Sequence, residues 1–179
     1  IKPANIFMVG RTQPRVLDFG IARVAHQHES DGSDDVAGGS PYYMAPEQAR
    51  HENVDRRGDV FSLGVVLYEL LTGERPFRGA TLVEISQAVL EHTPKPAHEV
   101  DPAVPEALSA IAARAMEKDP EHRYRSARML SRELRHWIEE NAQAAESAAA
   151  EPAAQAQRKR GALIAAVGTA VAIVTASVI

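Results

Sequence analysis

Ile1-Lys2-Pro3-Ala4-Asn5, then Asp18-Phe19-Gly20-Ile21-Ala22-Arg23, then Gly39-Ser40-Pro41-Tyr42-Tyr43-Met44-Ala45-Pro46-Glu47-Gln48: these three strings follow one another in this order at the start of the chain. Between the first two, Ile6 to Val9 and Arg15 to Leu17 are short apolar runs separated by Gly10-Arg11-Thr12-Gln13-Pro14. That pattern predicts a β-hairpin with turn chemistry between its strands. Asp18 then falls just past a strand end, where a carboxylate can face a cleft. Residues 26–41 are polar and glycine-rich, which predicts a long irregular loop; such loops are commonly functional.

Helical periodicity follows. Val60, Leu63, Gly64, Leu67, Leu70 and Leu71 predict a heavily apolar helix that ends at Thr72-Gly73. Leu82, Ile85, Val89 and Leu90 predict a second helix, and Pro94, Pro96, Pro102 and Pro105 mark a loop after it. Leu108, Ile111, Ala112, Ala115 and Met116 predict a third helix that stops before Pro120. Ser126 reads as the N-cap of a fourth, which runs through Met129, Leu130, Leu134, Trp137 and Ile138. The body over residues 1–140 is therefore expected to be mainly α.

Composition narrows the function classes. The net charge of -4 carries no nucleic-acid footprint. There is no Cys, so neither a disulfide framework nor a thiolate metal site exists. His26 and His28 are close in sequence but lack the companions of a metal cage. Residues 141–160 form a low-complexity linker rich in Ala and Glu that ends in Arg158-Lys159-Arg160. Residues 161–179 carry no charge. At about 1.5 Å per residue they span roughly 28 Å, the thickness of a bilayer core, and read as a truncated transmembrane helix. The basic triplet before the span places residues 1–160 on the cytoplasmic side of the cell membrane. Gly168, Ala172 and Ala176 form a small-residue row through which two spans could pair as a homodimer.

The three opening strings together resemble the catalytic half of a protein kinase. In that family a catalytic loop H-R-D-L-x-x-x-N precedes D-F-G and then A-P-E. Ile1 fits the L and Asn5 the N, so the catalytic Asp is expected just before Ile1. A lone D-F-G means little; the conjunction, continued by Asp59-Val60-Phe61-Ser62-Leu63-Gly64, carries the resemblance over residues 1 to 138. It is closest to the bacterial eukaryotic-type serine/threonine kinases of the single-pass receptor type. It implies the C-terminal lobe of that fold, with a short hairpin at the cleft. No glycine-rich phosphate loop and no V-A-I-K lysine occurs in residues 1–179, so the chain reads as a fragment that is inactive alone.

The resemblance assigns roles residue by residue. Asp18 and Asn5 would ligate Mg²⁺ beside ATP, a hard cation that favours oxygen donors. Lys2 would steady the transferred phosphate, and in this family it favours Ser or Thr in protein substrates. Ser40 would bond the catalytic Asp and Lys2. Glu47 would pair with Arg123, and Asp59 would brace the catalytic loop; these three are scaffold. The loop from Ile21 to Met44 has no Thr. Asp34 and Asp35 stand where a phosphothreonine is expected, with a solvated acidic loop as the simpler account, and Ser30 and Ser33 are candidate phosphorylation sites. The alternatives to an enzyme are a membrane-anchored pseudokinase that docks partners and a plain structural anchor. The first keeps Lys2, Asn5 and Asp18 as remnants of nucleotide binding, and the second leaves the motifs unexplained.

Overall fold

The structure is a computed structural model describing residues 1–10, 13–17, 41–148, 161, 164–165, 167–170 and 172. It opens with a 3-10 turn, Pro3–Asn5, which leads into strand β1 (Ile6–Val9). Strand β2 (Gln13–Val16) pairs antiparallel with it in the register Ile6↔Val16, Phe7↔Arg15, Met8↔Pro14 and Val9↔Gln13. The second strand begins two residues earlier than the apolar pattern suggests and ends before Leu17. Pro14 is tolerated inside it because a two-stranded sheet leaves each strand a free edge. Pro14 and Val16 point into the protein, while Gln13 and Arg15 are exposed.

Six helices follow among the described residues: α1 (Pro46–Ala49), α2 (Arg56–Thr72), α3 (Leu82–Glu91), α4 (Ala97–Val100), α5 (Glu106–Ala115) and α6 (Ala127–Ala148). Helix α2 is the axis of the lobe. Asp55 caps its start by accepting a hydrogen bond from the Arg57 amide at 2.8 Å. Gly73 ends it at φ 72, a left-handed conformation that glycine adopts without strain. Val60, Phe61, Leu63, Val65, Val66, Leu67, Tyr68 and Leu71 are all buried, so α2 has no broad polar face. Leu70, counted in the apolar pattern, is instead 43% exposed.

Helices α5 and α6 pack around this axis. Gly64 allows the closest approach to α5: a Cβ there would stand 2.8 Å from Ala115 Cβ and 2.9 Å from Met116 Cγ. Ser126 caps α6 through its carbonyl, which accepts the Met129 amide at 3.0 Å, and through its hydroxyl at 3.4 Å. Leu130, Leu134 and Trp137 turn one face of α6 into the core. The helix continues through Ala148, into the Ala- and Glu-rich stretch read from composition as linker; Ala is the best helix former, so propensity extends it. Helix α4 arises within the proline-marked loop. Pro96 (φ -52) stands immediately before it, where a missing N–H costs nothing.

Among the described residues, no helix is long and apolar enough to cross a membrane. The span read over 161–179 lies largely outside them. Its described members are helical, and Val167 and Ala170 are buried in the apolar cluster.

Candidate active site

The hairpin sets up the site. Asn5 closes the opening turn by donating its amide to the Lys2 carbonyl at 3.0 Å, and its own carbonyl accepts the Leu17 amide at 2.8 Å. Leu17 is the chain neighbour of Asp18. One backbone hydrogen bond therefore ties the end of the hairpin that leads into Asp18 to the residue that follows Lys2-Pro3-Ala4. Asp18 itself, with Ser30, Ser33, Asp34, Asp35 and Ser40, lies outside the described residues. Asn5 is half-buried, and among the described residues its side-chain amide makes no hydrogen bond. An amide oxygen unclaimed at the mouth of the hairpin fits a hard-cation ligand. Lys2, in extended backbone one residue before the turn, is likewise half-buried.

Asp59 stands on the first turn of α2, four residues beyond the cap at Asp55. Among the described residues there is no cluster of three or more His, Cys, Asp or Glu fit to hold a metal.

The turn after Ser40 is fixed to α2 from two directions. Pro41–Tyr43 form a 3-10 turn with Pro41 and Tyr43 buried. The Ser62 hydroxyl donates to the Tyr43 carbonyl at 2.7 Å. The Tyr43 hydroxyl donates to Glu69 Oε2 at 2.6 Å. Burial, and then the hydrogen bond to the Glu69 carboxylate, push the Tyr43 phenol up to about 12. The Arg75 guanidinium lies 4.3 Å over the Tyr42 ring, with its Nε 3.6 Å from Glu69 Oε1. Tyr43, Ser62, Glu69 and Arg75 escape a reading of sequence periodicity, because the contacts of Tyr43 with Ser62 and Glu69 join residues 19 and 26 apart along the chain.

Glu47 and Arg123 meet in a buried pair. Arg123 Nη1 donates to Glu47 Oε1 at 2.8 Å, and Nη2 to Oε2 at 2.7 Å. The two side chains are 0% and 4% exposed, so water does not screen the pair. Arg123 also donates to the carbonyls of Glu117 (2.6 Å), Arg57 (3.0 Å) and Lys118 (3.0 Å). Burial alone would raise the Glu47 pKa; the Arg123 hydrogen bonds and charge outweigh it and hold the carboxyl below its usual range. The Phe61 ring lies 5.0 Å from the Arg123 guanidinium and stacks on Phe77 at 5.7 Å. Lys118 closes that stack, 4.1 Å over Phe77, and donates to the Val89 carbonyl near the end of α3 at 2.6 Å.

Known proteins share much of this sequence. Residues 1–135 match the protein kinase domain. The chain is 42% identical over 141 residues to the tyrosine-protein kinase MasK of Myxococcus xanthus, covering 79% of this chain and 22% of that protein. It is 39% identical over 134 residues to the serine/threonine-protein kinase PknB of Mycobacterium leprae, covering 75% and 22%. It is 43% identical over 130 residues to the serine/threonine-protein kinase Pkn1 of Myxococcus xanthus, covering 70% and 19%. The chain thus spans about a fifth of the length of these relatives. With the hairpin clamp, the pinned turn and the Glu47–Arg123 pair in place, the match over most of its length shows that this chain belongs to the protein kinase domain family.

Proposed function

We propose that this chain is the larger lobe of a membrane-anchored bacterial protein kinase that transfers the γ-phosphate of ATP to Ser or Thr hydroxyls of protein substrates. The observation that carries this is the hydrogen bond from the Leu17 amide to the Asn5 carbonyl, which ties the approach to Asp18 to the Asn5 turn. Magnesium-bound ATP would supply the phosphoryl group and neutralise its charge. Asn5 would offer an amide oxygen and Asp18 a carboxylate to that cation. Lys2 would place its ammonium against the charge developing on the transferred group. The pinned turn after Ser40 would hold the acceptor hydroxyl in line. The preference for Ser and Thr rests on Lys2; one relative is named a tyrosine kinase, so the acceptor is a point to test.

The proton acceptor and the nucleotide-covering lobe of the family have no counterpart within residues 1–179. This chain alone is expected to transfer no phosphate from labelled ATP. A longer parent carrying an Asp directly before Ile1 should phosphorylate Ser and Thr in a protein substrate. Asp18→Asn or Lys2→Met in that parent should lower the rate by a hundredfold or more, on the order of 3 kcal/mol in the barrier. Robust transfer by residues 1–179, lost in Asp18→Asn, would overturn the expected inactivity of the fragment. A parent that transfers nothing yet binds nucleotide would leave the docking-module reading standing.

The bilayer anchor rests on the uncharged run over residues 161–179. The chain should float with phospholipid vesicles and resist extraction by carbonate; recovery wholly in the soluble fraction would remove the anchor.

A further inference from the structure

Helix α6 carries its positive charge on one side. Arg128, Arg132 and Arg135 recur at i, i+4 and i+7, all exposed. At 3.6 residues per turn they fall within about 60° of one another. Leu130, Leu134 and Trp137 occupy the opposite side and hold it to the core. Arg125, exposed just before the helix, extends the stripe, and Arg56 joins it there: its Nε donates to the Arg125 carbonyl at 3.0 Å. Among the described residues, Arg56, Arg125, Arg128 and Arg132 form no ion pair with a carboxylate. Among the acidic side chains described on α6, Glu133 is half-buried on the flank, Glu139 is exposed on the same face one turn beyond Arg135, where the stripe ends, and Glu140 lies off that face. Glu140 Oε1 lies 3.2 Å from His136 Nε2.

We infer that this stripe is a docking face for the anionic surface of a phospholipid bilayer. The inference deepens the reading of residues 161–179 as a membrane anchor. Reach decides the occupant. From Arg132 to Ala148 the helix runs about 24 Å. The twelve residues from 149 to 160 extend to at most about 40 Å. An anchor beginning at Gly161 therefore holds the stripe within touching distance of the headgroups, and the stripe meets them at high local concentration. Arg158-Lys159-Arg160 alone is too small a cluster for strong headgroup binding; four or more further arginines on a folded face bring the total into the range that binds anionic lipid. Away from lipid, Val167 and Ala170 are buried within the apolar cluster of the chain, and a bilayer offers the same burial.

The chain lacks Cys, so Met129→Cys places a single fluorophore beside the stripe. The full chain carrying it is mixed with vesicles of phosphatidylcholine alone and with vesicles containing about a third phosphatidylglycerol. Energy transfer to a headgroup acceptor and flotation are both read. Transfer should rise in the anionic vesicles, fall at high salt, and fall again in an Arg125→Gln, Arg128→Gln, Arg132→Gln variant. The three substitutions should weaken lobe docking on the order of a hundredfold, about fivefold per charge. Flotation with both vesicles but equal transfer in each, or transfer unchanged in the variant, overturns the stripe and leaves the anchor. Flotation with anionic vesicles alone, lost in the variant, supports the stripe and removes the anchor. Flotation with neither overturns both. Binding to polyglutamate that depends on the three arginines, with no response to lipid, assigns the face to an acidic protein instead.

Discussion

At Arg123 every N–H of the guanidinium has an acceptor: two carboxylate oxygens of Glu47 and the carbonyls of Glu117, Arg57 and Lys118. A bidentate pair with no solvent exposure gains little over an apolar core but is costly to break on one side. Arg123→Ala should cost about 3–5 kcal/mol, because it strands a buried carboxylate. Glu47→Gln keeps the shape and leaves the three carbonyl contacts, so it should cost less; urea unfolding of both variants checks the order. The depressed Glu47 pKa gives the pair a pH signature. Its stability is complete above the ordinary carboxylate range and is lost as pH falls through the lowered value. Glu47→Gln should flatten the acid limb of the stability profile.

Lys118 works in the opposite pH range. Burial, and then repulsion by Arg123 and Arg50, lower its ammonium to about 8. The folded state then binds fewer protons than the unfolded one between about pH 8 and the ordinary lysine value of 10.5, so stability rises with pH across that window. Tyr43 has the reverse sign: raised to about 12, it keeps its proton in the fold and costs stability from about pH 10 upward. The chain should be most stable to alkali near pH 10. Lys118→Met should remove the rise and Tyr43→Phe the fall, both read by thermal melts across pH. Tyr43 was invisible to periodicity because Glu69, its partner, is 26 residues away. Glu47 and Arg123, 76 apart, were legible only because a family pattern joins them.

Among the elements, α2 was the most legible, since an unbroken apolar run closed by Gly73 leaves little choice. Its true start lay four residues before Val60, at a stretch with charged residues where the cap at Asp55 sets the boundary rather than hydrophobicity. Helix α4 was hidden because its prolines read as a loop, although Pro96 before a first turn favours a helix. The same axis makes the sharpest prediction for an element. Gly64→Val would drive a branched side chain into Ala115 and Met116. Overpacking of this kind costs about 1–3 kcal/mol, and the loss should appear as a lower melting temperature with α2 still helical by circular dichroism.

Over the whole molecule, the hairpin is the weak point of the isolated lobe. Phe7, Met8 and Val9 on β1, and Leu17 just past β2, are each 43% to 54% exposed on a two-stranded sheet with free edges. Exposed apolar side chains along an open strand edge promote self-association. Light scattering of the chain in detergent should show apparent mass rising with concentration, and Phe7→Lys with Val9→Lys should suppress the rise. A partner lobe supplied in trans should do the same.

Trp137 is the sole tryptophan of the chain, and it sits 6% exposed on the core-facing side of α6, with Asn141 donating to its carbonyl at 2.8 Å. Intrinsic emission excited at the indole band thus reports one event, the seating of α6. Loosening of that helix will redden and dim the light before the rest of the lobe loses its ellipticity. The protein carries its own optical gauge for the part of its surface that bears the arginine stripe.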